Sequence, residues 1–276
     1  MSAGALVLLG TPIGNLGDLS PRARDELARA DVIACEDTRR TGRLLELVGV
    51  DRKPLLVIND HTEVARIKEV LERIVRGERV VVVSDAGMPG ISDPGERLVR
   101  AVMSDGHAIE IVPGPSAVIS ALVVSGLPAG RFVFEGFLPR RGAGRAERLA
   151  PLRHESRTTV LYEAPHRLAA TLADLVGACG PSRRVTLVRE LTKLHEEVWR
   201  GTLAEAVIHV EARRPRGEYV IVLDGAGPQE VVDDDAILSA LQREQERGSS
   251  TRDAVTLVSE LLDVPKRRVY ALATRT

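Results

Sequence analysis

Residues 79–95 of the chain are RVVVVSDAGMPGISDPG. The apolar run at the start predicts a buried strand, because it is short, continuous and closed by turn residues. The twelve residues that follow contain three glycines, two prolines and two aspartates, a composition that specifies an unusual backbone path. We expect Asp93 to cap the next helix, with Pro94 at its first position, and Asp85 to face a ligand that carries hydroxyl or amino groups.

The same alternation of apolar run and amphipathic stretch extends over the first 125 residues. It predicts strands at 5–10, 32–35, 54–58, 79–84 and 108–112 and helices at about 20–30, 40–48, 63–76, 94–104 and 115–125. Ser20 is the expected cap of the first helix, and Pro21 its first residue. Five β/α units in succession predict a parallel sheet that is covered on both faces.

The glycine- and proline-rich segment 126–130 interrupts this pattern and predicts a domain boundary. We therefore expect an α/β domain at 1–126, a mixed α/β domain at 127–228 and a helical tail at 229–276. The second domain is predicted to have strands near 131–136, 158–163, 184–189, 196–201 and 218–224 and helices near 145–153 and 166–178. No full helix is expected between its last strands, and part of its sheet is expected to be antiparallel. The tail predicts helices at about 235–247, 251–262 and 264–272.

Composition excludes several classes of protein. The formal net charge is −1, and only seven of the 276 residues are aromatic, so a base-stacking platform is not expected. No apolar run approaches the roughly 20 residues that span a bilayer, and the first 30 residues lack a signal pattern. Two cysteines are too few for a disulfide framework or a cysteine zinc site. We expect a cytoplasmic protein with no metal.

Ligands of open parallel sheets bind at the loops that leave the carboxyl ends of the strands. The loop 10–18, GTPIGNLGD, is glycine-rich but lacks G-x-G-x-x-G, so it forms either a ligand loop of another kind or a turn without a ligand. The segments CEDTRR (35–40) and NDHTE (59–63) are either helix caps or polar rims of a site. The segment VPGPSA (112–117) is either a close-approach loop or an ordinary turn.

Together these loops resemble the motifs of the tetrapyrrole methylase superfamily. The matching segments are LGTPIGNLGD (9–18), CEDTR (35–39), SDAGMPGISDPG (84–95) and VPGPSA (112–117). EGFLP (135–139), YEAPHR (162–167), RELTK (189–193) and HEE (195–197) narrow the resemblance to the family of ribosomal RNA small subunit methyltransferase I. It covers about residues 5–225 in register, and the tail also suits that family.

The resemblance implies a two-domain fold, with a parallel five-stranded amino-terminal sheet, a mixed second sheet and a small helical appendage. It also implies a homodimer that holds S-adenosylmethionine between its domains and methylates the 2′-oxygen of cytidine 1402 in the decoding region of 16S rRNA in the small ribosomal subunit. The positions implied to bind the cofactor are Pro12, Ser84, Asp85, Met88 (through its backbone), Ser116, Ala117, Tyr162 and Leu191.

A ribose 2′-hydroxyl is a weak acid, so its methylation is helped by a base or by a cation that stabilises the alkoxide. The candidates are Glu163, His166, Glu190 and Lys193, with the Asp37/Arg39 and Asp60/His61 rims as further possibilities. The Glu163–Arg167 segment is alternatively a purely structural turn. Lys193 acts either as a base, if desolvated, or as a phosphate partner.

RNA contacts are expected from basic, mobile segments. Arg140, Arg141 and Arg145 lie in a glycine-loosened loop, which is either a phosphate clamp or a solvated linker. Lys266, Arg267 and Arg268 form a second basic patch, unless the tail helices only cap the second domain. Two alternative functions are methylation of a tetrapyrrole or other small substrate and non-catalytic RNA binding on a vestigial methylase core.

Overall fold

The computed structural model describes residues 4–59, 61–227, 233–262 and 264–274. Asp60 of the predicted Asp60/His61 rim lies outside these residues. The chain forms two compact units, Met1–Ala226 and Gly227–Thr276. The larger unit contains two five-stranded sheets.

The first sheet is parallel throughout, with strand order β3-β2-β4-β1-β5. Its strands and the helices that connect them are β1 (Ala5–Leu9), α1 (Pro21–Arg29), β2 (Val32–Cys35), α2 (Thr38–Leu47), β3 (Leu55–Val57), α3 (Glu63–Val75), β4 (Arg79–Val83), α4 (Glu96–Ser104) and β5 (Ala108–Val112). The interior strand β1 pairs with both β4 and β5 and is buried along nearly its whole length. This arrangement confirms the predicted parallel sheet and brings the loops after β1, β4 and β5 to one edge.

The helix caps agree with the sequence in one case and differ in another. Ser20 caps α1, because its Oγ accepts a hydrogen bond from the N–H of Ala23 at 3.1 Å. The predicted cap of α4 by Asp93 and Pro94 is wrong, since that helix begins at Glu96. Its first turn is capped from α3 by the buried carboxylate of Glu63, which accepts hydrogen bonds from the N–H groups of Gly95 and Leu98 at 3.0 Å each.

The second sheet is mixed, with strand order β6-β7-β10-β8-β9. Its strands and the helices around it are α5 (Ala117–Ser125), β6 (Phe132–Phe137), α6 (Ala143–Leu149), β7 (Thr158–Glu163), α7 (Leu168–Cys179), β8 (Arg184–Arg189), β9 (Glu197–Thr202), α8 (Leu203–Glu211) and β10 (Tyr219–Leu223). β6 runs parallel to β7, whereas the other pairs are antiparallel. The predicted antiparallel portion is confirmed.

Helix α8 corrects the expectation that no full helix lies between the last strands. Its start is fixed by a capping box, in which Glu205 N–H donates to Thr202 Oγ1 and Thr202 N–H donates to Glu205 Oε2 at 2.8 Å. The sequence Thr202-Leu-Ala-Glu205 carries this signal, because a threonine followed three residues later by a glutamate is typical of a helix start. The prediction overlooked it.

Helix α5 joins the two sheets. It follows β5 of the first sheet, yet its buried side chains Val118, Ala121 and Leu122 pack against Val160 and Val188 of the second sheet. At its carboxyl end, Arg200 Nε donates to the carbonyl of Ser125 at 3.0 Å. The second sheet is thereby held beside the loop edge of the first.

The smaller unit consists, in its described part, of α9 (Asp234–Glu246), α10 (Thr251–Leu262) and α11 (Lys266–Ala273). Buried apolar side chains from all three helices, including Ile237, Val258 and Val269, form its core. None of the described helices combines the length and the apolarity that a membrane crossing needs. The division of the larger unit into domains at residue 126 stays a prediction.

Candidate active-site cleft

A cavity of about 300 Å³ in the larger unit is lined by residues of both sheets. We call it the cleft cavity. The first sheet contributes Ile13, Ala86, Gly87, Met88, Ile91, Ser92, Asp93, Ser116 and Ala117, and the second contributes Phe137, Tyr162, Glu163, Ala164, Pro165, Val188, Leu191, Glu218, Tyr219 and Val220. Its volume and its mostly apolar lining with a few polar groups are typical of small-molecule sites.

Backbone contacts hold the ligand loops of the first sheet together. The N–H of Thr11 donates to the carbonyl of Gly87 at 2.9 Å, and the N–H of Gly87 donates back to the carbonyl of Thr11 at 3.2 Å. A Cβ atom on Gly10 would lie 2.6 Å from Cα of Gly114, so the loops after β1 and β5 approach too closely for a side chain there. Glycine at these turns therefore serves close backbone packing, as the close-approach interpretation of the segment 112–117 expected.

Strained backbone lies beside the cleft cavity. Among the described residues, only Ser92, Glu190 and Thr192 combine a side chain with a positive φ, at 62°, 50° and 65°. Ser92 lines the cavity, and the other two flank Leu191, which also lines it. Such a conformation is costly, most of all for the β-branched Thr192, and is concentrated at functional sites in proteins.

Tyr162 forms an aromatic wall of the cleft cavity. Its ring centroid lies 5.1 Å from that of Phe134, in an edge-to-face arrangement, and 5.4 Å from that of Phe137. Burial, reinforced by the nearby charge of Asp93, raises the pKa of Tyr162 to about 12. The phenol therefore stays neutral at physiological pH.

The eight predicted cofactor residues divide between two cavities. Met88, Ser116, Ala117, Tyr162 and Leu191 line the cleft cavity, whereas Pro12, Ser84 and Asp85 line a second cavity of about 230 Å³. The hydrogen-bonded pair of Thr11 and Gly87 joins the linings of the two, because Thr11 lines the second cavity and Gly87 the cleft cavity.

Asp85 at the tip of β4 is incompletely satisfied. Its Oδ2 lies 3.4 Å from a guanidinium nitrogen of Arg40, while its buried Oδ1 has no hydrogen-bond donor in the described part of the chain. Buried acceptors are normally paired, so this oxygen is a candidate contact for a ligand.

Two of the four predicted catalytic residues have surroundings that do not suit a free base. Glu163 is 2% exposed, and its oxygens accept hydrogen bonds from Thr171 Oγ1 at 2.5 Å and from Ala164 N–H at 2.9 Å. Arg167 Nε also lies 3.2 Å from it. His166 is exposed and is absent from the lining of the cleft cavity. The structural-turn interpretation of the Glu163–Arg167 segment thus has direct support.

The other two, Glu190 and Lys193, form one charged network with Glu218. Lys193 Nζ lies 2.9 Å from Glu190 Oε1 and 2.8 Å from Glu218 Oε2. Burial works against the charge of Lys193, but the two carboxylates outweigh it and raise the pKa of the amine. Burial likewise opposes the charge of Glu190, yet the Glu218 N–H and the Lys193 ammonium hold its pKa below the usual value. Lys193 is therefore a cation and not a free base.

One polar rim fits an interpretation that the sequence offered, whereas the cavity lining includes residues that the sequence did not predict. Asp37 caps α2 by accepting the N–H of Arg39 at 2.8 Å, as one of the two interpretations of that rim expected. His61 is exposed. Sequence reasoning missed Phe137, Glu218 and Tyr219 as lining residues. The antiparallel pairing of β10 with β7 and β8 places Glu218 and Tyr219, and the parallel pairing of β6 with β7 places Phe137.

The predicted RNA-binding arginines differ in accessibility. Arg140 and Arg141 are exposed and form no ion pair with the described residues. Arg145 is buried, and its guanidinium donates to Asp174 Oδ2 at 2.7 Å, to Thr171 Oγ1 at 2.9 Å and to the carbonyl of Pro139 at 2.9 Å. These internal acceptors occupy the guanidinium of Arg145, so it is not presented to an RNA strand.

The basic patch of the tail is also divided. Lys266 and Arg267 are exposed at the start of α11, whereas Arg268 is paired with Asp234 at 2.6 Å.

In the described part of the chain, no group of three or more histidine, cysteine, aspartate or glutamate side chains is placed to hold a metal ion.

Comparison with known proteins identifies the class to which this fold and cleft belong. The profile of the tetrapyrrole (corrin/porphyrin) methylases matches residues 5–207, which places the chain in that family of methyltransferases. Proteins named ribosomal RNA small subunit methyltransferase I are similar over most of their length. The one from Synechocystis is 42% identical over 98% of this chain and 97% of its own, and that from Thermotoga maritima is 48% identical over 80% and 99%. The chain belongs to the ribosomal RNA small subunit methyltransferase I family.

Solved structures agree with the fold. The methyltransferase CobJ is 22% identical and superposes with a TM-score of 0.62 over 82% of this chain and 95% of its own. The cobalt precorrin-4 methyltransferase CbiF is 17% identical, with a TM-score of 0.59 over 80% and 95%. These similarities confirm the predicted tetrapyrrole-methylase-like fold.

Proposed function

We propose that this protein transfers the methyl group of S-adenosylmethionine to the ribose 2′-oxygen of a cytidine, cytidine 1402, in the decoding region of 16S rRNA. The observation that carries the proposal is the cleft cavity, in which turns of the first sheet meet Tyr162 and Leu191 of the second. Family membership supplies the reaction class, and the names of the relatives supply the class of acceptor.

The lining of the cleft cavity fits such a methyl donor. Ile13, Val188 and Leu191 offer an apolar surface for a nucleoside base. Asp93 and Ser116 offer polar groups for hydroxyl or amino groups, and the aromatic wall suits a sulfonium cation. When bound, S-adenosylmethionine supplies an electrophilic methyl group. Pro12, Ser84 and Asp85 remain proposed contacts, through the joined linings of the two cavities.

In this reaction the protein orients the methyl donor and the acceptor and stabilises the negative charge that develops on the acceptor oxygen. In-line transfer to a hydroxyl needs the donor and the acceptor held in one geometry, which the strained, closely packed loops around Leu191 are suited to provide. Lys193 does not line the cleft cavity itself but pairs with Glu218, which does. It remains protonated, so we assign it the role of a fixed cation that stabilises negative charge on the acceptor. Glu190 holds that cation in place through the 2.9 Å contact.

The RNA is held by exposed arginines. Arg140 and Arg141 lie in the loop before α6 and form no ion pair within the described part of the chain, so their donors are available to phosphate oxygens. Lys266 and Arg267 offer a second contact on the smaller unit. These contacts fix the position of the strand, and the cleft cavity then selects the nucleoside.

We also infer a homodimer in the cytoplasm, where the small ribosomal subunit is found. The edge strand β5 exposes Ile109 and Ile111, and the outer face of α5 exposes Ile119 and Val123, which is typical of surfaces that a second copy covers. Light scattering should give the dimer mass for the wild type and the monomer mass for Ile111→Asp. A monomeric wild type at micromolar concentration would contradict the inference.

The test of the proposed reaction uses small subunits from a strain that lacks the modification. They are incubated with this protein and methyl-labelled S-adenosylmethionine, and the label is mapped by mass spectrometry. We expect label on the ribose of one cytidine in the decoding region. Label on a base, or methylation of a corrin or porphyrin with none in the rRNA, would refute the proposal.

A further inference from the structure

A third cavity, of about 170 Å³, lies where the ends of β8, β9 and β10 meet α8. We call it the arginine cavity. Its charged and aromatic lining includes Arg189, Glu197, Trp199, His209, Arg213 and Arg214. It is distinct from the cleft cavity, and no role proposed above uses these side chains.

The arginine cavity has an excess of positive charge. Glu197 is the single carboxylate of its lining and accepts a hydrogen bond from Arg213 at 2.7 Å. Arg214 is exposed and makes no ion pair with the described residues. Burial, together with the charge of Arg213, lowers the pKa of His209 against the opposing effect of Glu197, so the imidazole is neutral at physiological pH. Three guanidinium groups therefore face one carboxylate.

The guanidinium of Arg189 has N–H donors that no acceptor in the described part of the chain satisfies. Its Nε is buried and has no hydrogen-bond acceptor, since the nearest Glu197 oxygen is 3.5 Å away. Within the described part of the chain its guanidinium makes no hydrogen bond. A partly buried arginine normally has its donors satisfied, and a guanidinium matches the geometry of phosphate oxygens.

One wall of the arginine cavity is flat and rigid. The rings of Trp199 and His209 are stacked, with their centroids 4.8 Å apart and their planes inclined by 24°. Gly201 makes room for this arrangement, because a Cβ atom there would lie 2.6 Å from the Trp199 ring. The wall restricts the space to a small ligand, and a cavity of this size admits a phosphate group.

The arginine cavity lies at the same end of the second sheet as the cleft cavity but on the opposite face. Val188 and Val220 of the cleft pack with α5, whereas Leu187 and Val210 of the arginine cavity pack with α7 and α8. Tyr219 lines both cavities. Along the chain, Arg189 lines the arginine cavity, Glu190 holds Lys193, and Leu191 lines the cleft cavity. A nucleic-acid strand that places one nucleoside in the cleft reaches the three arginines by passing around the end of the sheet at Tyr219.

We propose that the arginine cavity binds a phosphate group and that this is a backbone phosphate of the rRNA beside the methylated nucleoside. The first half of the proposal stands on the cavity alone, and the second half rests on the proposed function. The contact is electrostatic and bidentate, so it fixes the position of the strand without reading its sequence.

The first experiment exploits Trp199, which is the only tryptophan of the chain. Its fluorescence is titrated with inorganic phosphate at constant ionic strength, with chloride as the comparison anion. We expect a saturable change with phosphate alone, and a dissociation constant at least fivefold weaker in Arg214→Ala. Arg216→Ala is the matched control, because it removes an exposed arginine two residues away that does not line the cavity; it should shift the constant less than twofold. No saturable change, or equal weakening in both variants, would overturn the proposal.

The second experiment identifies the source of the phosphate. With small subunits as substrate, Arg214→Ala should raise KM about fivefold to tenfold, leave kcat and the affinity for S-adenosylmethionine unchanged, and reduce the salt slope of RNA binding by about one. Equal RNA kinetics in Arg214→Ala and Arg216→Ala would overturn the assignment to rRNA. If the wild type labels no rRNA at all, the proposed function fails, while the phosphate titration still decides on the cavity.

Discussion

Gly14 and Lys193 touch across the two halves of the larger unit. A Cβ atom on Gly14 would lie 2.4 Å from Cγ of Lys193, 2.8 Å from Oγ1 of Thr192 and 3.0 Å from the carbonyl oxygen of Leu191. The loop after β1 therefore packs directly against the strained segment that presents Leu191 to the cleft cavity. This contact couples the position of the Lys193 cation to the turns of the first sheet.

Substitution of Gly14 tests this coupling. Gly14→Ala must displace the segment 191–193, so we expect the affinity for S-adenosylmethionine to fall about tenfold, equivalent to about 1.4 kcal/mol. Gly42→Ala is the control, because an added Cβ there has nothing within 4 Å. Calorimetric titration measures both variants. Unchanged affinity in Gly14→Ala would show that the packing of this loop does not shape the site.

The cap of α4 by Glu63 predicts an effect on stability. Glu63→Ala leaves the N–H groups of Gly95 and Leu98 without their acceptor, at a cost of about 1–3 kcal/mol in the free energy of unfolding. Glu63→Gln keeps an amide oxygen and should lose less. Glu96→Ala, whose side chain is exposed on the same helix, should stay within about 0.5 kcal/mol of the wild type. Urea unfolding measures the free energy of unfolding of each variant. An equal loss in Glu63→Ala and Glu96→Ala would disprove the cap.

These caps show where sequence reasoning succeeds and where it stops. Ser20 and Pro21 could be predicted, because their signal lies within four residues of the helix start. The cap of α4 could not, since Glu63 is 32 residues from Gly95 and meets it only when α3 and α4 pack. The turns of the cleft were recognisable from glycine and proline, whereas Glu218 and Tyr219 depend on strand pairing.

Arg145 in α6 and the two arginines in the loop before that helix should behave oppositely. Arg145→Ala removes three hydrogen bonds of a buried guanidinium and should lower the free energy of unfolding by roughly 2–4 kcal/mol. Replacing Arg140 and Arg141 together should leave stability within about 0.5 kcal/mol and reduce the salt slope of RNA binding by about one to two. Thermal unfolding and binding titrations at several salt concentrations separate the two effects. A stable Arg145→Ala protein with a reduced salt slope would return Arg145 to the RNA surface.

Tyr162 predicts a loss of stability at high pH. Its pKa is raised to about 12 in the folded protein, against about 10 in the unfolded chain. Between these values the unfolded state loses the proton first, so stability is complete below pH 10 and falls as the pH rises toward 12. The loss should be about 1 kcal/mol after allowance for the exposed part of the ring. Urea unfolding of Tyr162→Phe at pH 9 and pH 11 should show less of this loss, and an equal loss in both proteins would contradict the assignment.

The cleft cavity is the proposed site of the methyl donor, and Ala117 gives the most direct test of that assignment. Ala117 lines that cavity at the first residue of α5, whereas Val123 on the same helix is exposed. Calorimetric titration with S-adenosylhomocysteine should show binding to the wild type and to Val123→Leu, and a loss of at least tenfold in Ala117→Leu, whose larger side chain fills the space. Equal affinity in all three proteins, or no binding to the wild type, would contradict the account.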